Sequence, residues 1–209
     1  MRRMVLAMLL LAGPAAAQGL KGPVPMADAA AALPAEIAGW RRGAVTDFAQ
    51  RPGGAGLGAA VEYRPVIGGP GVATVYLYDR GLAGLPDGVA SGQLAGELRA
   101  AVGEVEAIGP TRRFQVAGRG AETDIPGAGG RPGLRCEPLL LAFDGGNRAD
   151  SYVCLGVVTG RFLKLRMTLP ASAEALSAKA LAAFGEALLA SVQPPPPVPA
   201  PVPPRRAGR

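Results

Sequence analysis

The stretch LRCEPLLLAFDGGNRADSYVCLGVVTGRFLKLRMTLP (Leu134–Pro170) decides the fold. LRCEPLLLAF, DSYVCLGVV and RFLKLRMTLP are rich in aliphatic, β-branched and aromatic residues, and the turns DGGNR and TG separate them, so they read as three strands. Turns this short join only antiparallel neighbours, which makes the three a meander. A helical stretch, SAEALSAKALAAFGEALLASV, follows at once. Ala175, Leu176, Ala180, Leu181, Phe184 and Leu188 share its apolar face, Ser172 stands at its N-cap, and Pro194 stops it.

Toward the N-terminus, GVATVYLYD (Gly71–Asp79) reads as a strand, with AVTDFA and AAVEY before it. Asp87–Ile108 places Val89, Leu94, Leu98, Val102 and Val105 near helical spacing and ends at Gly109-Pro110. TRRFQVAG reads as another strand and AETDIPGAGGRPG as a loop. Trp40, in LPAEIAGWRRG, reads as a core plug. The expectation is one α+β domain over residues 33–193, with a mainly antiparallel sheet of six to seven strands and two long helices.

The segment GAGLGA (Gly54–Ala59, within RPGGAGLGAAVEYRP) fits the dinucleotide fingerprint G-x-G-x-x-[GA]. That fingerprint must open a helix, because the helix N-terminus holds the pyrophosphate. Here a strand-like AAVEYRP follows instead, so the glycines read as a flexible hairpin loop.

Side chains alternate across a strand. On the meander, Leu139, Leu141 and Phe143, then Val153, Leu155 and Val157, then Leu163, Leu165, Met167 and Leu169 are taken as one core face. The opposite face then carries Tyr152, Cys154, Lys164, Arg166 and Thr168, joined by Thr74, Tyr76 and Tyr78. If Asp144–Gly146 is the turn, Phe143 faces Asn147 and Cys136 faces Cys154, which predicts a cross-strand disulfide. With no C-x-x-C and no histidine to lower a thiol pKa, this pair reads as structural.

Tyr76, Tyr78, Tyr152, Lys164 and Arg166 are the candidate ligand-binding residues: tyrosines for stacking, and a guanidinium suited to carboxylate or phosphate. The complete absence of histidine removes Ser-His-Asp and Cys-His catalysis and His-ligated zinc. No catalytic residue, metal ligand or cofactor is assigned. Glu97, Glu104 and Glu106, and Glu137, Asp144 and Asp150, form no pair of carboxylates set for glycoside hydrolysis. The Asp144–Asp150 segment lacks EF-hand spacing and reads as turn chemistry.

The chain opens MRRMVLAMLLLAGPAAAQ, with a basic start, a short apolar run and Ala15 and Ala17 at cleavage positions, so residues 1–17 read as a secretory signal peptide. Residues 18–32 read as a leader, and 194–209 as a disordered Pro-rich basic tail. The two cysteines fit export to an oxidising periplasm. Of 22 basic residues, Arg2 and Arg3 fall in the signal and Arg205, Arg206 and Arg209 in the tail, leaving 17 against 16 acidic ones. That near-neutral body argues against nucleic-acid binding, while the tail is suited to weak contact with an anionic surface. No segment reaches the ~20 apolar residues of a membrane span.

The signal, Trp40, VYLYD (Val75–Asp79), FLKLRMTLP (Phe162–Pro170) and the closing helix together resemble a group of uncharacterised exported proteobacterial proteins. The element order resembles the PsbP-like α/β/α sandwich, named for an extrinsic subunit of photosystem II. That resemblance implies a binding or assembly role with no particular ligand. The expected function is a periplasmic, non-enzymatic protein that binds a small ligand or an envelope partner, or helps assemble an envelope complex. The alternative is a small hydrolase or transferase using carboxylate, Lys or Tyr chemistry.

Overall fold

The computed structural model describes residues 24–130, 132–171 and 174–192. The signal segment, most of the leader, Ser172 and the Pro-rich tail lie outside them. The elements run α1 (Met26–Ala31), β1 (Glu36–Ile37), β2 (Trp40–Asp47), β3 (Ala59–Pro65), β4 (Val72–Tyr78), α2 (Gly92–Arg112), β5 (Phe114–Arg119), β6 (Thr123–Pro126), β7 (Pro132–Phe143), β8 (Arg148–Val158), β9 (Arg161–Pro170) and α3 (Glu174–Val192). All pairings are antiparallel, in the order β1-β2-β3-β4-β9-β8-β7-β5, with β6 also on β7. The meander β7-β8-β9 is as the sequence predicts, and the protein is α+β.

The sheet has nine strands rather than six or seven. The two-residue β1 is too short to carry a pattern. β6 lies in the stretch read as a loop; its TDIP becomes a strand only by pairing with β7. A third, six-residue helix, α1, falls within the expected leader and buries Ala30 in the core. The two long helices lie on the predicted segments, and α2 runs past its expected end. Ser91 caps its start, accepting a hydrogen bond from the Leu94 amide. It continues through Gly109-Pro110 to a left-handed Arg113. The proline ring clashes with the backbone N–H and the Cβ of the residue before it in the helical conformation, and Gly109 has no Cβ. A Cβ there would also stand 2.7 Å from the Phe114 carbonyl oxygen.

Helices pack on both faces of the sheet. On one face, α1 and α3 enclose Trp40, Tyr63, Val75, Leu163, Leu165 and Met167 around Phe184, whose ring meets Tyr63 and Trp40 edge-on at 5.3 and 5.9 Å. On the other, α2 lays Leu94, Leu98, Val102 and Val105 on Leu139, Leu141, Val153, Leu155, Val157 and Phe162. Residues 151–158 of β8 are therefore buried without alternation, as expected where both faces of a strand are covered.

Cys136 opposes Cys154 and the two form a disulfide. Closing a loop of this length stabilises by about 3 kcal/mol in the chain-entropy account. The expected face assignment fails at β9. Leu155 pairs with Lys164 and Cys154 with Leu165, so Leu163, Leu165 and Met167 belong with the disulfide under α3. Lys164 and Arg166 lie beside Val153 and Leu155 on the α2 face. Tyr152, opposite Met167, is buried in the α3-side core, across the sheet from the other candidate residues.

Candidate functional site

Glu97, Glu104, Ile108 and Arg112 recur along α2 at spacings of seven, four and four, which puts them on one flank of the helix. That flank overhangs β4 and β9, where register opposes Tyr78 to Phe162, Tyr76 to Lys164 and Thr74 to Arg166. Tyr76, Tyr78, Lys164 and Arg166 thus share one face, as predicted. The face divides into two regions.

The first is a closed ionic and aromatic cluster. The Lys164 Nζ sits 4.6 Å from the Tyr76 ring centre and 5.5 Å from that of Tyr78, and donates to Glu104 Oε2 at 3.2 Å. Arg80 donates to Glu97 at 2.9 Å and to Glu104 at 3.0 Å, and its guanidinium lies over the Tyr78 ring. The Tyr78 hydroxyl donates to Glu97 Oε1 at 2.8 Å. Burial, then the Glu97 charge and its hydrogen bond, hold the Tyr78 phenol far above its usual pKa; burial likewise raises that of Tyr76. For Glu104, burial works against ionisation, but Lys164 and Arg80 outweigh it and hold the carboxyl below its usual range.

The glycine-rich loop borders this cluster, and it is pinned rather than free. Arg80 N donates to the Gly56 carbonyl and Phe48 N to that of Gly58, both at 2.9 Å. Gly58 has φ +64°, and a Cβ there would stand 1.9 Å from the Leu77 carbonyl oxygen, so the glycine lets the loop lie directly on the end of β4. The loop thereby sets Phe48 in a stacked arrangement with Tyr76 at 6.5 Å, and Phe48 and Leu57 wall a cavity of about 170 Å³ over Tyr76, Tyr78 and Lys164.

The second region is an open groove of about 450 Å³ on the other side of Tyr76. Arg166 forms part of its lining, half-buried, with Arg112 from the last turn of α2 and Arg64 from β3. Glu62, its one lining carboxylate, is held by Arg64 at 2.8 Å. Arg166 has no hydrogen-bond or ion-pair partner among the described residues. Burial lowers its pKa from the usual arginine value, Arg112 adds to that effect, and Tyr76 and Glu104 oppose it. Ile108, Phe114, Leu141 and Phe143 supply apolar lining.

Sequence reasoning brings Tyr76, Tyr78, Lys164 and Arg166 together correctly and misplaces Tyr152. It misses Arg80, Phe48, Leu57 and Arg112, and it notes Glu97 and Glu104 without recognising them as the partners of Arg80 and Lys164. Their separation of seven, two helical turns, is the signal that marks them as one flank. Asp144 and Asp150 serve the scaffold: Asp144 accepts from Arg113 at 3.3 Å and Asp150 from the Ser177 hydroxyl at 2.6 Å. Among the described residues, no group of three or more Cys, Asp or Glu is placed to hold a metal ion, and no helix is long and apolar enough to cross a membrane. Comparison with protein-family models and with curated proteins finds no match to this chain.

Proposed function

We propose that the protein is an exported, periplasmic, non-enzymatic binding or envelope-assembly protein with a PsbP-like arrangement, and that it binds through the face shared by β4, β9 and α2. One observation carries the reading: Lys164 and Arg80 are ion-paired with Glu104 and Glu97, whereas the adjacent Arg166 lines a groove and has no ion-pair partner among the described residues. A half-buried guanidinium in an open groove is suited to an external carboxylate or phosphate. The disulfide is compatible with an oxidising compartment.

Within the alternative of carboxylate, Lys or Tyr chemistry, a general acid would be a carboxyl held protonated near neutral pH, and a tyrosine base would be a phenol that ionises readily. The cluster supplies the reverse, with Glu104 shifted down and Tyr78 shifted up. This weighs toward binding. The test is retention from native periplasm on immobilised mature protein, with mass spectrometry of co-purifying proteins and small molecules. Arg166→Gln should lose what the native protein retains and Lys164→Gln should keep it; equal retention by the native protein and both variants overturns the assignment of the site.

A further inference from the structure

Resting on the reading of this chain as a binding protein, we propose that the Arg166 groove takes an amphiphilic anion, with a carboxylate or phosphate group held by Arg166 and Arg112 and an apolar body along Ile108, Phe114 and Phe143. Three features of the groove lead there. Arg166 stands on a central strand between Thr74 of β4 and Val153 of β8, so neither neighbouring strand gives it a carboxylate. The charge that lines the groove from α2 is Arg112, with Glu104 acting on Arg166 from further along the helix, and the two cations line one cavity in which the single carboxylate is occupied by Arg64. An anion bound there removes a like-charge juxtaposition and completes the hydrogen bonding of a half-buried guanidinium.

The remaining lining sets the rest of the ligand. Phe114 and Phe143 pack together at 5.6 Å between ring centres, and Ile108 joins them from α2. A bare inorganic anion leaves this wall in contact with water, whereas an apolar tail covers it. The volume of about 450 Å³ falls in the range of small-molecule sites. The groove also shares Arg64, Val72, Phe143 and Thr168 with a cleft of about 790 Å³ that reaches Pro70, Arg148 and Pro170, giving a longer body a continuous path. The shared chemistry is that of a fatty acid, a lipid phosphate or a soluble aromatic acid.

Calorimetric titration of the mature protein with dodecanoate and dodecyl phosphate, both below their micelle concentrations, and with phenylacetate and inorganic phosphate, tests this directly. At least one organic anion should bind ten-fold or more tightly than inorganic phosphate; dodecyl chains over phenylacetate indicate a lipid, and the opposite order a soluble aromatic acid. Arg166→Gln should weaken that binding at least ten-fold. Arg112→Gln, at an exposed position whose loss leaves the core intact, should weaken it several-fold and guards against a folding defect in the first variant. Organic anions bound no better than phosphate, or bound by both variants as tightly as by the native protein, overturn the proposal. If no anion binds while the periplasmic retention assay still gives an Arg166-dependent partner, the ligand class fails and the binding reading stands; if both assays are blank, both fail.

Discussion

Two adjacent regions on one face of the sheet, sharing Tyr76, treat their cations in opposite ways. In the closed cluster, each cation on the strand side meets a glutamate on the α2 flank: Arg80 under Glu97 and Lys164 under Glu104. One and two turns further along the same flank come Ile108 and Arg112, and Arg166 below them meets another cation across an open groove. The contrast separates charges that serve the scaffold from a charge available to a ligand. A paired and hydrogen-bonded cation has little left to offer; an unpaired, half-buried one carries a desolvation cost that an anion can offset.

The largest effect should come from breaking the closed cluster at its most buried carboxylate. Glu97, 12% exposed, accepts from both Tyr78 and Arg80. Glu97→Ala leaves the buried Tyr78 hydroxyl without its acceptor and Arg80 with Glu104 alone, and should cost about 2 kcal/mol in urea unfolding. A change near zero would mean that the cluster is not structural. The Lys164–Glu104 pair should contribute less, because Glu104 is 53% exposed. A double-mutant cycle of Lys164→Met with Glu104→Gln should give a coupling of about 1 kcal/mol or below; no coupling would put Lys164 in the same class as Arg166.

The groove should respond with the opposite sign. Replacing an ionic group that lacks a partner with an apolar one of similar volume relieves desolvation without breaking any contact. Arg166→Leu should therefore leave stability unchanged or raise it by up to about 1 kcal/mol, while anion binding falls. A loss of stability as large as that of Glu97→Ala would show that Arg166 is paired in solution and would erase the distinction between the regions.

Much of this arrangement is legible in the sequence, and the exceptions have physical causes. The disulfide follows from turn length, since a three-residue turn fixes which residues of β7 and β8 face each other. The same rule applies to Thr159-Gly160: a two-residue turn pairs Val158 with Arg161 and so Leu155 with Lys164. Grouping β9 by hydrophobicity instead of by register puts its leucines on the α2 face and Tyr152 with the arginine. Hydrophobicity cannot mark a core face where helices cover both sides, as the unbroken burial of residues 151–158 shows. Tyr76 and Tyr78 nevertheless fell with Lys164, because β4 and β9 both alternate chemically. Arg112 was hidden by a proline that ordinarily ends a helix, and β6 by a loop-like composition that only pairing with β7 makes a strand.

The smallest effect is a pH dependence that belongs to the closed cluster. Glu104 titrates below its ordinary value of 4.5 in the folded protein, because Lys164 and Arg80 outweigh its burial. A carboxyl depressed on folding contributes stability that is complete above the unfolded pKa and is lost as pH falls through the folded one. Urea midpoints measured from neutral pH downward should therefore decline more steeply below about pH 4.5 in the native protein than in Glu104→Gln, which has no proton to take up at that position. Protonating Glu104 also removes a charge that favours the cationic form of Arg166 and leaves Lys164 without its counter-ion. The closed cluster then comes to resemble the groove, with a cation facing no anion. Parallel declines in the two proteins would show that Glu104 is not held by Lys164 and Arg80, and the contrast between the two regions would rest on Glu97 alone.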